Sequence, residues 1–239
     1  PTDDMTTEKK YTIGVVIDQL LAGGVQLAAI EQVRELRKLG HHATLLILMR
    51  KRYPIDFSPL VRGVPHLYLS DSYPPLLRQT VKLPIFNFLS SLHLVSPLLA
   101  PPVIKPKEYD ILVSWGTTTC LTTQAILRKR KIPYIAIIPD PIDYILEHVY
   151  SKTSLSLFFP LLKRIAKYFE ASFVKDASQV VVISKVHAPY LVKHYARVPI
   201  VLHLGVHAPP ALPTKRGDDL LSFGRWEKEK NPTFLLHLI

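Results

Sequence analysis

The chain carries almost no sulfur chemistry. One of its 239 residues is a cysteine, Cys120, and two are methionines. A single thiol excludes an internal disulfide framework and any cysteine-clustered metal site. It also fits a reducing, cytoplasmic compartment. Carboxylates are scarce as well, 19 Asp and Glu against 30 Lys and Arg, for a formal net charge of +11. Long apolar runs are missing. The greasiest stretch, Leu83 to Ile104, is broken by Pro84, Asn87, Ser90, Ser91, His93 and Pro97, so no run reaches the roughly 18–20 residues that a membrane span needs. Residues 1–10 are polar, unlike a signal peptide, and read as a disordered or tag-derived N-terminus.

Several motifs are absent, and each absence removes a class of chemistry. Between residues 14 and 30 there is no G-x-G-x-x-G, and no G-x-x-x-x-G-K-[ST] occurs anywhere, which disfavours dinucleotide binding and P-loop hydrolysis. No G-x-S-x-G nucleophile elbow is present, which disfavours the usual α/β hydrolase. The ten histidines include no H-E-x-x-H pair. No nucleic-acid motif accompanies the positive charge.

What remains is a regular alternation. Apolar residues make up 48% of the chain and charged residues 21%, the balance of a folded globular protein. YTIGVVI (11–17) is a continuous β-branched run, as expected of a strand buried on both faces. A helix follows from about Val25 to Leu39, with Ala29, Ile30, Val33 and Leu36 on one face and Gly40 closing it. Further strands are read at 42–49, 66–69, 110–115, 133–138, 179–184 and 199–204. Further helices are read at 117–131, 159–174 and 187–195. Residues 70–107, with seven prolines among Leu, Phe and Ile, read as two short helices with loops. Strands separated by helices imply α/β architecture, a doubly wound parallel sheet with right-handed crossovers. The expected organisation is a Rossmann-like domain over 11–207, a proline-rich linker over 208–219, and a new strand, turn and helix start over 220–239.

In such a sheet ligands gather at the carboxyl ends of the strands. Gly23 and Gly24 stand there before a helix, where backbone N–H groups and the helix dipole favour an anion; a tight turn would use glycines equally well. Arg50, Lys51, Arg52, Trp115 and Thr117 are candidates by the same placement. Asp140 and Asp143 in PDPID stand three apart in a proline turn, a spacing more often structural than metal-binding, and no metal is expected. The excess of cations has two explanations. Arg34, Arg37 and Lys38, and again Arg128 to Lys131, end helices where positive charge complements the dipole. The remainder suits phosphates or an anionic membrane surface.

Three segments together resemble glycosyltransferase family 4. LLAGGVQLAAIEQVRELRKLGHHATLLIL (20–48) is similar to the family's opening, in which a Gly-Gly-Val loop precedes the first helix. VVVISKVHAPYLVKHY (180–195) followed by IVLHLGVH (200–207) resembles the family's pre-linker helix and Gly-Val turn. FGRWEKEKNP (223–232) resembles the Arg/Lys motif that opens the second domain. The resemblance implies a GT-B fold, with two Rossmann-like domains facing across a cleft and this chain supplying the acceptor-side one. It implies transfer of a hexose from a nucleotide sugar to a glycan or lipid-linked acceptor, with retention, without metal or other cofactor, and without nucleic acid.

The same resemblance assigns roles. Arg225 and Lys230 would bind the donor diphosphate, and Gly23 and Gly24 would approach it from the other side. Asp140 would cover part of a His-Asp pair in which Pro139 replaces the histidine, a departure that leaves the contact to the sugar open. The paired glutamates of the second domain lie beyond Ile239, so the fragment is expected to be inactive alone. The apolar residues Leu76, Leu77, Ile85, Phe86, Phe88, Leu89 and Leu92, with Lys82 and Arg50 to Arg52, suggest either an acceptor side that touches a membrane or a cover for one sheet face. Two competing readings stay open. A non-catalytic α/β module docking to an anionic membrane or partner would bind indifferently to nucleotide, and a metal-dependent transferase using PDPID would require manganese.

Overall fold

The computed structural model describes residues 9–50, 55–72, 108–127, 132–146 and 159–205. Expectations for residues 1–8, for Lys51 and Arg52, for the proline-broken segment beyond Ser72, for the linker and for residues 220–239 lie outside them.

Seven parallel strands form one sheet: β1 (Thr12–Gln19), β2 (His42–Met49), β3 (His66–Tyr68), β4 (Ile111–Trp115), β5 (Tyr134–Ile138), β6 (Gln179–Val182) and β7 (Ile200–Val201). Their order is β3-β2-β1-β4-β5-β6-β7. The chain therefore steps outward from β1 in one direction, returns, and steps outward from β4 in the other. With right-handed crossovers that reversal places helices on opposite faces of the sheet. Helix α1 (Gly24–Lys38) covers one face. The other is covered by α2 (Thr117–Leu127) and α4 (Phe159–Asp176), with Leu191 of α5 (Ala188–Tyr195) in the same core. A single turn, α3 (Ile142–Ile145), lies between β5 and α4. The expected architecture is the observed one.

Alternation along the strands builds the two cores. Ile13, Val15 and Ile17 of β1 pack with Leu45 and Ile47 of β2 under Ala29, Ile30 and Val33 of α1. Val16, Leu46, Leu48, Leu112, Ala136 and Ile138 face the other way, with Phe173 and Val174 of α4. Each such side chain contributes about 1.5–3 kcal/mol when fully buried. Gly14 sits mid-strand because its neighbours leave no room: a Cβ there would lie 2.6 Å from Leu112 Cδ2 and 2.9 Å from Leu46 Cδ1. Gly40 adopts a left-handed conformation (φ 87°), which glycine tolerates, and its N–H closes α1 on the Arg37 carbonyl.

Strands β3, β4 and β5 each lack one residue of the expected range, and β6 and β7 fall short by more. β6 stops at Val182 because Ser184 starts a 3-10 turn (Lys185–His187), its hydroxyl accepting from Val186 N–H at 3.3 Å. β7 then has only Val181 and Val182 to pair with. Its ladder ends when Leu202 N–H reaches Val182 carbonyl at 2.9 Å, so Leu202 to Leu204, expected in the strand, run on exposed.

Candidate active site at the carboxyl edge of the sheet

The direction of the chain reverses between β1 and β4, so the crevice at the carboxyl ends of these strands is where a ligand has most room. Gly23, in an extended conformation (φ −95°, ψ 153°), is the N-cap of α1, and Gly24 is its first residue. No side chain caps this helix and no acidic residue occupies its first turn. Its first N–H groups and dipole are thus available to an anion. The two glycines differ in their surroundings. A Cβ on Gly23 would fall 2.4 Å from Gln26 Oε1 and 2.7 Å from Leu21 Cδ1, whereas one on Gly24 would meet nothing within 4 Å. Gln26 is held by its own bond, Nε2 donating to Asp18 Oδ1 at 2.8 Å. Among the described residues, nothing crowds Gly24 on its Cβ side.

Across the switch point, Gly116 (φ 97°) leads from β4 into α2. Trp115 is buried, and its indole N–H donates to Gln32 Oε1 on α1 at 2.8 Å, which makes it part of the packing between strand and helix. Thr117 is also buried, and its hydroxyl has no hydrogen-bond partner among the described residues. Arg50, at the end of β2, is engaged locally. Its guanidinium makes two bonds to Asp71, at 3.0 and 2.6 Å, and stacks 3.8 Å above the Tyr68 ring. The bonds to Asp71 raise its pKa further, so the charge is permanent but already matched.

Further along the edge, β5 ends in the PDPID turn. Asp140 and Asp143 diverge in their partners. Asp143 is buried and paired with Lys167 at 2.6 Å and Lys163 at 3.9 Å, both on α4. Asp140 is half-exposed, its Oδ1 3.8 Å from Nε2 of His187. The turn is fixed from behind by Glu170 of α4, which is fully buried. Glu170 accepts from Ile142 N–H at 3.0 Å, from Tyr190 hydroxyl at 3.1 Å and from Tyr195 hydroxyl at 2.5 Å. Burial pushes its carboxyl above the usual range, against those three bonds. The same burial, with Glu170 beside them, pushes both tyrosine hydroxyls up.

Of the expected site residues, the structure brings Gly23, Gly24, Trp115, Thr117 and Asp140 to one edge of the sheet, with Arg50 at its β2 end. Lys51, Arg52, Arg225 and Lys230 lie outside the described residues. Sequence reasoning missed His187 and Glu170. Nothing in the spacing of His187 points to Asp140, 47 positions earlier. Glu170 did carry a signal: it stands three and four residues before the core residues Phe173 and Val174, on the buried face of its helix.

Comparison with known proteins agrees with this fold. The family model described as Glycosyltransferase Family 4 matches residues 22–208. No curated protein matches in sequence. Among solved structures, Anabaena HepE in complex with UDP-glucose superposes with a TM-score of 0.51 at 15% identity, over 82% of this chain and 44% of that one. HepE with UDP alone gives 0.52 at 14%, with the same coverage. Sucrose-phosphate synthase from Thermosynechococcus elongatus gives 0.50 at 13%, over 82% and 47%. At such identities the likeness is one of fold. The chain spans less than half the length of these structures.

Proposed function

The chain belongs to glycosyltransferase family 4, and from that premise we propose that it is the acceptor-side domain of an enzyme transferring a hexose from a nucleotide sugar to a glycan or lipid-linked acceptor. The observation that carries the reading is the N-terminus of α1 at the carboxyl edge of the sheet, which no side chain caps and where no described residue crowds Gly24. As the sugar–phosphate bond breaks, negative charge grows on the leaving diphosphate. Helix N–H groups fixed in place favour that charge more than the ground state, and so lower the barrier. Arg225 and Lys230 would add cations from the opposite wall. The transfer retains anomeric configuration through an oxocarbenium-like transition state and needs no metal. HepE and its UDP-glucose complex support a uridine nucleotide as the first donor to test.

Catalysis needs both walls of the cleft, so residues 1–239 alone bind donor weakly and do not turn it over. The test is donor hydrolysis and transfer by the full-length gene product, by residues 1–239, and by Arg225→Ala and Lys230→Ala variants. Each truncated contact to the developing diphosphate costs on the order of 2–4 kcal/mol. Turnover by residues 1–239 alone, or both variants within twofold of the parent, refutes the reading.

A peripheral membrane contact has an observation of its own. Leu161, Ile165, Tyr168 and Phe169 of α4 are exposed at positions four, seven and eight apart, one stripe of a helix, and Arg164 is exposed beside them. No helix among the described residues is long and apolar enough to cross a membrane. An apolar stripe on a chain of net charge +11 suits an anionic lipid surface, where each basic residue is worth about 1 kcal/mol. Flotation with anionic liposomes, weakened by salt, is the expected result; no flotation at low salt removes the membrane from the reading.

A further inference from the structure

β5 and β6 are neighbours in the sheet, with Ile138 level with Val182, so the turns that follow them emerge side by side. The Ser184-capped turn carries His187 back towards the PDPID turn. The result is a carboxylate and an imidazole facing each other, with Asp140 Oδ1 3.8 Å from His187 Nε2. Asp140 is half-exposed and His187 is 13% exposed. This separation is too long for a direct hydrogen bond. It is also short enough for a single hydroxyl oxygen to lie within about 2.8 Å of both atoms.

The other ring nitrogen fixes the tautomer. His187 Nδ1 is buried, with no hydrogen-bond partner among the described residues. A neutral imidazole has one N–H and one bare lone pair. Burying the lone pair and turning the N–H to the carboxylate satisfies the ring best. Nε2 then carries the N–H and Asp140 offers its lone pairs, both facing the gap between them. The Tyr144 ring, 5.9 Å from the imidazole in a tilted arrangement, flanks its position. Behind the pair, Glu170 holds the Asp140 turn by Ile142 N–H, which pre-sets the gap.

We propose that Asp140 and His187 form a clamp for one carbohydrate hydroxyl, which donates to the carboxylate and accepts from the imidazole N–H, and that His187 is thereby a specificity-determining residue. A group that both donates and accepts fills the gap; a methylene leaves both partners unpaired. The clamp rests on the hexosyl-transfer reading, but its chemistry is a hydroxyl from either the donor hexose or the acceptor.

Titration calorimetry on the full-length gene product separates these sources. The probes are UDP, UDP-glucose and methyl α-glucoside, against the parent, His187→Phe and His187→Gln, with circular dichroism to confirm that each variant is folded. His187→Phe fills the volume without a donor, and His187→Gln restores an N–H near the Nε2 position. The expected result is about a tenfold loss of affinity in His187→Phe, the size of one hydrogen bond, recovered to within threefold in His187→Gln. Loss for UDP-glucose with UDP unaffected assigns the clamp to the donor hexose. Loss for the glucoside alone assigns it to the acceptor. Failure of the parent to bind UDP counts against the nucleotide-sugar reading and leaves the glucoside arm to judge the clamp. If neither sugar probe distinguishes His187→Phe from the parent, including by binding neither, the clamp is overturned.

Discussion

Glu170→Ala is the substitution whose consequences the structure specifies most fully. The carboxylate is fully buried and receives three donors, Ile142 N–H and the hydroxyls of Tyr190 and Tyr195. The two tyrosine oxygens are 3.3 Å apart, so after truncation one hydroxyl can bond the other. That leaves the Ile142 N–H and one hydroxyl proton unpaired, at about 1–3 kcal/mol each. Part of this is offset because a charge is no longer buried. The net expectation is a loss of about 3 kcal/mol in urea unfolding followed by circular dichroism. Glu170→Gln behaves differently, since its carbonyl keeps one donor and its amide can donate to a tyrosine oxygen. Its pH dependence carries the sign. Burial raises the Glu170 pKa in the fold, so between the unfolded and folded values the native state holds the extra proton. The contribution of Glu170 is then whole below its unfolded pKa and is lost as pH rises through the folded one. The stability of Glu170→Gln relative to the parent should therefore increase as pH rises from about 4. A flat difference across pH 4–8 would refute the upward shift of its carboxyl, and Glu170→Ala within 0.5 kcal/mol of the parent, where ordinary surface substitutions lie, would refute the role of Glu170 as the buried acceptor of this network.

Other substitutions test the site separately from the fold. Gly24→Ala should leave stability unchanged or raise it by up to about 1 kcal/mol, because the residue is helical and its Cβ meets open space; the same methyl should weaken nucleotide-sugar binding in calorimetry. Gly23→Ala should lower the melting temperature, since Gln26 must give way and its bond to Asp18 with it. Arg50→Ala should cost at most about 1 kcal/mol, the ceiling for an exposed ion pair, and leave UDP affinity within twofold. Cys120 is buried and its thiol is pushed up by burial, so a thiol reagent should label it only after denaturant is added.

The sheet was legible because its information is local. Continuous apolar runs such as 11–17 and 42–49, punctuated by glycine and proline, announce buried parallel strands whatever their neighbours. The ends of β6 and β7 were less legible, because they depend on where a partner strand stops. Ser184 halts β6 by capping a turn, and β7 can pair only as far as β6 extends. The site residues divide along the same line. Gly23 and Gly24 were readable because a strand, two glycines and a helix are consecutive. Trp115, an acceptor-side candidate by its place at a strand end, lies by the period of two on the side of Val113, towards α1. His187 could not be assigned at all, since its meeting with Asp140 requires β5 beside β6 and a capped turn of the right length. An insertion that lengthens that turn should therefore abolish the His187 effect while leaving the sheet intact. This follows because the strands are held by their own ladder and core, whereas the imidazole is brought to the carboxylate by the turn.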